Sequence, residues 1–325
     1  MKILVIGLGS MGRRRIRLIK QYNSTFNIMG IDLDAERRFI SEEEFGIETG
    51  EDLEQAVKEQ KFECAIICTS PLSHSNLIET CLKNDMHVFT ELNLVTDGYE
   101  KNIQLAKDHN KTLFLSSTFL YRAEIKKIQS LIKEQNKKVN YTYHVGQYLP
   151  DWHPWENYED FFVGNKRTNG CREIFAIELP WLIDVFGNIK DITVSKSKIS
   201  SLNIDYNDNY CIIIEHENGN KGMLAVDIVS RKAVRNLEIM GEDIYVSWDG
   251  SAEGLKLMNL ETKLEEKIHI YKEVDQLKEY SKFVVENAYF NEIEAFFKVV
   301  TQNVEPIYDF IKDRKVLELI DRIEA

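Results

Sequence analysis

Apolar and polar positions follow one rhythm up to about residue 120 and another after it. In the first part, short apolar runs alternate with longer stretches of helical spacing. KILVIG (2–7), NIMGID (27–32), ECAIICTS (63–70), HVFTE (87–91) and TLFLSS (112–117) are the apolar runs, as expected for strands buried on both faces. SMGRRRIRLIKQY (10–22), DLEQAVKEQ (52–60), SHSNLIETCLKND (73–85) and DGYEKNIQLAKDHN (97–110) read as helices. Ser73 and Asp97 are the expected N-caps of the last two. Regular βα alternation predicts an α/β domain over residues 1–120, built on a doubly wound parallel sheet.

After Phe119 comes a helix, RAEIKKIQSLIKEQNKK (122–138), then a strand, VNYTYHVG (139–146), and an aromatic loop, QYLPDWHPWENYEDFF (147–162). A helix follows, GCREIFAIELPWLIDVFG (170–187). The runs at 192–199, 209–217, 221–230, 235–241 and 243–248 alternate like strands, and ENGNKG between two of them reads as a hairpin turn. Two helices, from Phe290 and Phe310, close the chain. The expectation for 121–325 is an α+β domain, for substrate binding and oligomerisation, around a mostly antiparallel sheet. One sheet face would stay open, and a second copy of the chain could cover it, giving a homodimer or homotetramer.

A length of 325 residues accommodates two cores, and 43% apolar with 29% charged residues is ordinary globular composition. The net charge of −12 argues against nucleic-acid partners and against anionic membranes. No apolar run approaches the length of a membrane span, and the opening residues do not resemble a signal peptide, so the expected location is the cytoplasm. Cys64, Cys68, Cys81, Cys171 and Cys211 are scattered, without zinc spacing. They read as thiols of a reducing compartment, and no metal is expected.

GLGSMG places Gly7, Gly9 and Gly12 in G-x-G-x-x-G spacing, between an apolar strand and a helix. One glycine permits the tight turn, one lets a pyrophosphate approach the backbone, and one lets helix and strand pack closely. Ser10 and Met11 complete the loop. Asp32 ends the second strand, 20 residues after Gly12. A carboxylate there accepts from ribose hydroxyls and repels a 2′-phosphate, which favours NAD. Arg37 and Arg38 keep NADP open. CTSPLSH then puts Thr69, Ser70, Pro71 and His74 at a strand end, where open α/β sheets bind ligands. The alternative for them is an ordinary strand-to-helix turn.

These motifs, with HVFTEL (87–92) and FLYR (119–122), resemble the glucose–fructose oxidoreductase, inositol dehydrogenase and rhizopine-catabolism family (Gfo/Idh/MocA). GQYLPDWHPWENY (146–158) is similar to a branch associated with nucleotide-sugar and surface-polysaccharide pathways. The resemblance implies hydride transfer between a nicotinamide and a sugar or cyclitol carbinol. It implies cofactor contacts for Glu91 and Asn93 as well. A lysine in an E-K-P motif, and often a histidine in a D-x-x-x-H-x-x-D helix, would handle the hydroxyl proton. Here Leu92 replaces the lysine and Asn93 the proline. Aligning the helix on its closing Phe-Gly puts Ile177 at the histidine and Pro180 at the second aspartate, leaving Glu173 and Glu178 nearby.

His153 and Glu178 are the expected replacements. His153 sits in the aromatic loop, with Asp151 placed to orient it, and Glu178 lies among apolar neighbours that would raise its pKa. Tyr148, Trp152, Trp155 and Tyr158 offer stacking faces, and Lys166, Arg167, Arg172 and Glu173 a polar cluster for a phosphorylated or nucleotide-linked sugar. Tyr121 and Arg122 are expected beside the substrate or as a plain crossover. For each of these residues ordinary packing or solvation is the alternative. Two functions stand open: an NAD(P)-dependent sugar oxidoreductase with a non-standard proton group, or a dinucleotide-binding homologue without catalysis, serving as a ligand sensor or assembly partner.

Overall fold

The computed structural model describes residues 1–135, 137–154, 156–276 and 281–325; Trp155 lies outside them. Contacts divide the chain into two units, Met1–Ser117 with Tyr289–Leu317, and Thr118–Ala288 with Glu318–Ala325. The continuous second domain expected over 121–325 is therefore interrupted, since residues 289–317 pack with the first unit.

In the first unit, β1 (Lys2–Ile6), β2 (Asn27–Ile31), β3 (Glu48–Gly50), β4 (Cys64–Ile67), β5 (His87–Thr90) and β6 (Leu113–Leu115) form a parallel sheet in the order β3-β2-β1-β4-β5-β6. The order reverses between β1 and β4, the switch point of a doubly wound fold. Ile3, Leu4 and Val5 are fully buried because helices cover both faces. The crossovers are α1 (Ser10–Tyr22), α2 (Ala35–Phe45), α3 (Leu53–Glu59), α4 (His74–Lys83) and α5 (Tyr99–Asp108). The patterning did not announce α2 or β3: Ser41 alone is buried in α2, so its sequence carries no apolar stripe.

Both expected N-caps are corrected. Ser73 precedes α4 but makes no capping bond, and its hydroxyl donates to the Ser70 carbonyl at 2.7 Å. Gly98, not Asp97, caps α5, at φ +70°. A Cβ there would lie 2.0 Å from Ser75 Oγ, so only glycine fits.

The second unit holds α6 (Ala123–Glu134), shorter than expected, α7 (Gly170–Phe186), and an eight-stranded sheet. Its strands are β7 (Asn140–Gly146), β8 (Ile189–Ser197), β9 (Asn209–His216), β10 (Lys221–Asp227), β11 (Val234–Gly241), β12 (Ile244–Trp248), β13 (Lys256–Met258) and β14 (Glu265–Lys267). The order is β14-β13-β12-β11-β7-β10-β9-β8, antiparallel apart from the β7–β10 pair. Alternation gives two unlike faces. Tyr210, Ile212 and Leu224 are buried, whereas Ile213 and Met223 are 54% and 57% exposed. Trp181 of α7 meets Tyr143 edge-on at 5.3 Å in the covered core. The short, exposed strands β13 and β14 had no legible pattern.

The chain ends in α8 (Glu286–Gln302) and α9 (Phe310–Glu324). Phe296 of α8 packs edge-on against Phe89 and Phe114 at 5.6 Å, sealing the β5–β6 side of the first unit. No helix among the described residues is long and apolar enough to cross a membrane.

Candidate active site

β1 ends at Ile6 and α1 begins at Ser10, so the glycine turn lies at the carboxyl edge of the first sheet, beside the switch point. Each glycine there has its own cause. Gly7 has φ +90°, and a Cβ would lie 2.8 Å from the Cys68 carbonyl oxygen. At Gly12 a Cβ would lie 1.9 Å from the Gly7 carbonyl oxygen, because α1 rests on the turn. Gly9 is different. Its φ is an ordinary −68°, and the atom nearest a Cβ would be Arg37 Nη1 at 3.8 Å. Nothing within the protein requires glycine there. The bare backbone keeps an opening at the start of α1, whose first turn has no acidic residue and no side-chain cap. An opening at the positive end of a helix suits a pyrophosphate.

Asp32 follows β2. Its Oδ2 accepts from the Leu8 amide at 2.7 Å and its Oδ1 from the Asp34 amide at 2.9 Å. The carboxylate is thus fixed beside the turn, with acceptor capacity left on each oxygen. Arg38 donates to the carbonyls of Asp32 and Leu33 at 2.7 and 3.0 Å, and Arg37 is shared between Asp32 at 3.9 Å and Asp34 at 3.8 Å. Ser10 and Met11 open α1, where Met11 Sδ lies 2.9 Å from Arg14 Nη1.

The other first-unit residues singled out lie at the same edge, after β4 and β5. Pro71–Ser73 is a single 3₁₀ turn, held by the Thr69–Ser73 hydroxyl pair at 2.7 Å and by the Ser73 amide donating to the Ser70 carbonyl. His74 is buried, its ring nitrogens 2.7 Å from Asn93 Oδ1 and 2.9 Å from the Thr69 carbonyl. Burial holds its pKa below the ordinary value, so it serves as a neutral post that positions Asn93. Asn93 Nδ2 is buried; it makes no close hydrogen bond among the described residues and interacts with the Tyr99 hydroxyl. Glu91 is gripped by Arg15, whose Nε lies 2.6 Å from Oε1.

That arginine was missed in the sequence. Arg15 is fully buried and also reaches Glu292 Oε2 at 2.7 Å and Ser116 Oγ at 3.2 Å. Burial raises the pKa of Glu292, and the amide of Ser117 donates to it at 2.7 Å. A signal was available: Gly12, Arg15 and Ile19 share the inward face of α1. The opening at Gly9 and the acceptors of Asp32 together fit a dinucleotide.

In the second unit several expectations are corrected. Glu178 is fully buried and fully engaged: Oε1 takes Arg235 at 2.5 and 2.9 Å, and Oε2 takes the Tyr143 hydroxyl and Trp181 Nε1, each at 2.7 Å. An acid held this way reads as a member of a buried ion pair. Arg172 is committed to Glu324 at 2.5 Å and Asp321 at 2.8 Å, and Arg122 to Glu124 at 2.6 Å and the Phe283 carbonyl at 3.1 Å. Neither guanidinium is left for a phosphate. Tyr121 is buried, which fits the crossover alternative.

His153 pairs with Glu156 at 2.5 Å rather than with Asp151, which is exposed at the end of a 3₁₀ turn. Trp152 donates to the Gln147 carbonyl at 3.2 Å, and Arg231 stacks on the Tyr148 ring at 3.6 Å. Lys166 is exposed and lines a cavity of about 430 Å³ with Lys198 and Tyr210. Glu173, in the first turn of α7, has one carboxylate oxygen buried without a partner among the described residues.

Residues 1–117 match the profile of an oxidoreductase family with an NAD-binding Rossmann fold, GFO_IDH_MocA. A myo-inositol 2-dehydrogenase of Thermotoga maritima is 25% identical over 136 residues, 41% of each chain. The match thus spans less than half of that relative's length. Among solved structures, the UDP-N-acetylglucosamine 3-dehydrogenase of Acidithiobacillus ferrooxidans superposes with a TM-score of 0.75 at 17% identity, covering 100% of this chain and 96% of its own. A levoglucosan dehydrogenase, solved with NADH and levoglucosan, gives 0.79 at 13%, covering 99% and 96%. Likenesses at such identity establish the fold of both units. Over residues 1–117, with the glycine turn and Asp32 at the sheet's carboxyl edge, the chain matches the NAD-binding Rossmann domain of the Gfo/Idh/MocA oxidoreductase family.

Proposed function

We propose that the protein is an NAD-dependent oxidoreductase that interconverts a sugar carbinol and its ketone, with a nucleotide-linked or phosphorylated sugar as the preferred substrate class. The carrying observation is the opening at Gly9, which packing does not explain, set beside the fixed carboxylate of Asp32. When bound, NAD supplies the acceptor or donor of a hydride at the nicotinamide ring. The chain's own part is to hold it. Backbone amides at the start of α1 take the pyrophosphate, and Asp32 takes the ribose hydroxyls. Sugars are supported by what two structural neighbours are named for and by the aromatic loop with Tyr148 and Trp152. The open sheet face with Ile213 and Met223 supports association of copies of the chain.

The test is to purify the protein, measure NAD⁺ binding, and follow reduced-nicotinamide absorbance with UDP-, GDP- and CMP-linked sugars, myo-inositol and levoglucosan. Turnover with any of them is expected. One observation favours a second reading, a non-catalytic cofactor-binding sensor: Leu92 and Ile177 bring no proton group to the two positions where the family resemblance implies one. Tight NAD⁺ binding with no turnover across the panel would select it.

A further inference from the structure

NAD⁺ and NADH differ in one ring: the oxidised nicotinamide carries a positive charge and the reduced ring carries none. Contacts to the pyrophosphate and the adenosine are common to both forms, so Gly9 and Asp32 cannot tell them apart. Only charges near the ring can. A dinucleotide crosses an open α/β sheet at its switch point, here between β1 and β4. With the adenosine at Asp32, on the β2 side, the nicotinamide half belongs to the ends of β4 and β5. Glu91 directly follows β5, and its side chain is 13% exposed.

Charges at that end of the sheet are unevenly matched. Arg15 Nε lies 2.6 Å from Glu91 Oε1 and Arg15 Nη2 lies 3.2 Å from Glu91 Oε2, while the same Nη2 is 2.7 Å from Glu292 Oε2. One guanidinium is thus divided between two carboxylates, and Glu91 meets no other cation among the described residues. The guanidinium is fully buried, so the anion is the member of the pair that reaches the surface. Neighbouring groups do not offset it. Cys68 lies 3.9 Å from Glu91 Oε1, and burial with the Glu91 charge pushes its thiol pKa well up, so it stays neutral. Burial holds the His74 pKa down, so its ring is neutral in mildly alkaline solution. Thr69, Ser70 and Asn93 are uncharged, and Leu92 stands where the family resemblance implies a lysine.

We propose that Glu91 is a specificity-determining residue for the oxidation state of the cofactor, and that the protein binds NAD⁺ more tightly than NADH. The inference rests on the reading of this edge as an NAD site. A carboxylate with a share of one guanidinium attracts a cationic ring and is indifferent to a neutral one. Sheltered from bulk water, such an attraction changes affinity by about tenfold or more. Leu92 strengthens the preference, because a lysine there would offset the carboxylate. Tighter binding of the oxidised form makes the bound couple a stronger reductant than the free couple, by about 30 mV for each tenfold. Under the oxidoreductase reading, the site is then poised toward reducing a carbonyl.

The experiment titrates NAD⁺ and NADH separately into the full chain in mildly alkaline buffer, followed by calorimetry and by NADH fluorescence. The wild type should bind NAD⁺ at least about tenfold more tightly than NADH. Glu91→Gln should lose about tenfold in NAD⁺ affinity and keep its NADH affinity within about twofold. That variant weakens the grip on buried Arg15, so Leu92→Lys is the second probe. Leu92 is half-buried, and a cation there leaves the ion pair in place. It should bring the two affinities together by a similar factor. A wild-type ratio within about twofold of one, or tighter NADH, overturns the proposal while the NAD site stands. A ratio that both variants leave unchanged overturns it as well. A wild-type protein that binds neither form defeats the reading of the edge as an NAD site, and the proposal falls with it.

Discussion

The carboxyl edge of the first sheet and the polar groups around α7 treat charge in opposite ways. At the edge, groups keep spare capacity: a Cβ at Gly9 would meet nothing closer than Arg37 Nη1 at 3.8 Å, and Asp32 holds two amides with room for more. Around α7, charges close on one another: Glu178 with Arg235, Arg122 with Glu124, and Arg172 with Glu324 and Asp321. Unused valence marks where a ligand belongs, and satisfied valence marks structure. By that criterion Glu173 is the exception in the second unit and Arg15 with Glu91 the exception in the first.

The contrast can be broken by substitution. The largest effect is expected at Gly12→Ala, since a methyl 1.9 Å from a backbone oxygen cannot be relieved by a side-chain shift. We expect a loss of about 4 kcal/mol or more, read as a collapse of the thermal transition. Glu178→Gln comes next. It leaves the Arg235 guanidinium uncompensated in the interior, at a cost of about 3–5 kcal/mol in denaturant unfolding. If it costs less than 1 kcal/mol, the pair is not structural and Glu178 returns as a catalytic candidate.

Glu173→Gln should move stability the other way, and with pH. The folded-state pKa of about 7 lies above the ordinary 4.5, so the folded chain binds the proton more tightly than the unfolded one. Stability is then fully present below pH 4.5 and is lost as pH rises through 7. Removing the charge should stabilise the protein by about 3 kcal/mol at pH 8 and leave it unchanged at pH 4. Equal effects at both pH values would mean that Glu173 titrates normally.

What the sequence revealed follows the same division. The glycine turn was legible because its chemistry is backbone chemistry at fixed spacing: Gly7, Gly9, Gly12 and Asp32 declare strand, turn and second strand end in order. The parallel sheet was legible because Ile3–Val5 and Ala65–Ile67 are buried on both faces and so appear as unbroken apolar runs. The second unit's polar residues were not, since their partners lie far along the chain. Glu178 meets Arg235 across 57 residues and Arg172 meets Glu324 across 152, and no local pattern announces such pairs. Glu178 looked like a buried catalytic acid because its apolar neighbours were visible and its counter-ion was not. α2 went unread for the converse reason, having a solvated surface with no stripe.

The smallest structural change offers the sharpest test, because Gly9→Ala adds one methyl where the protein itself has room. Calorimetric titration of NAD⁺ into the wild type and this variant should show binding to the first and at least tenfold weaker binding to the second, with thermal stability unchanged within about 0.5 kcal/mol. Equal affinities, or no heat of binding to the wild type, would contradict a pyrophosphate seated on the bare backbone at Gly9.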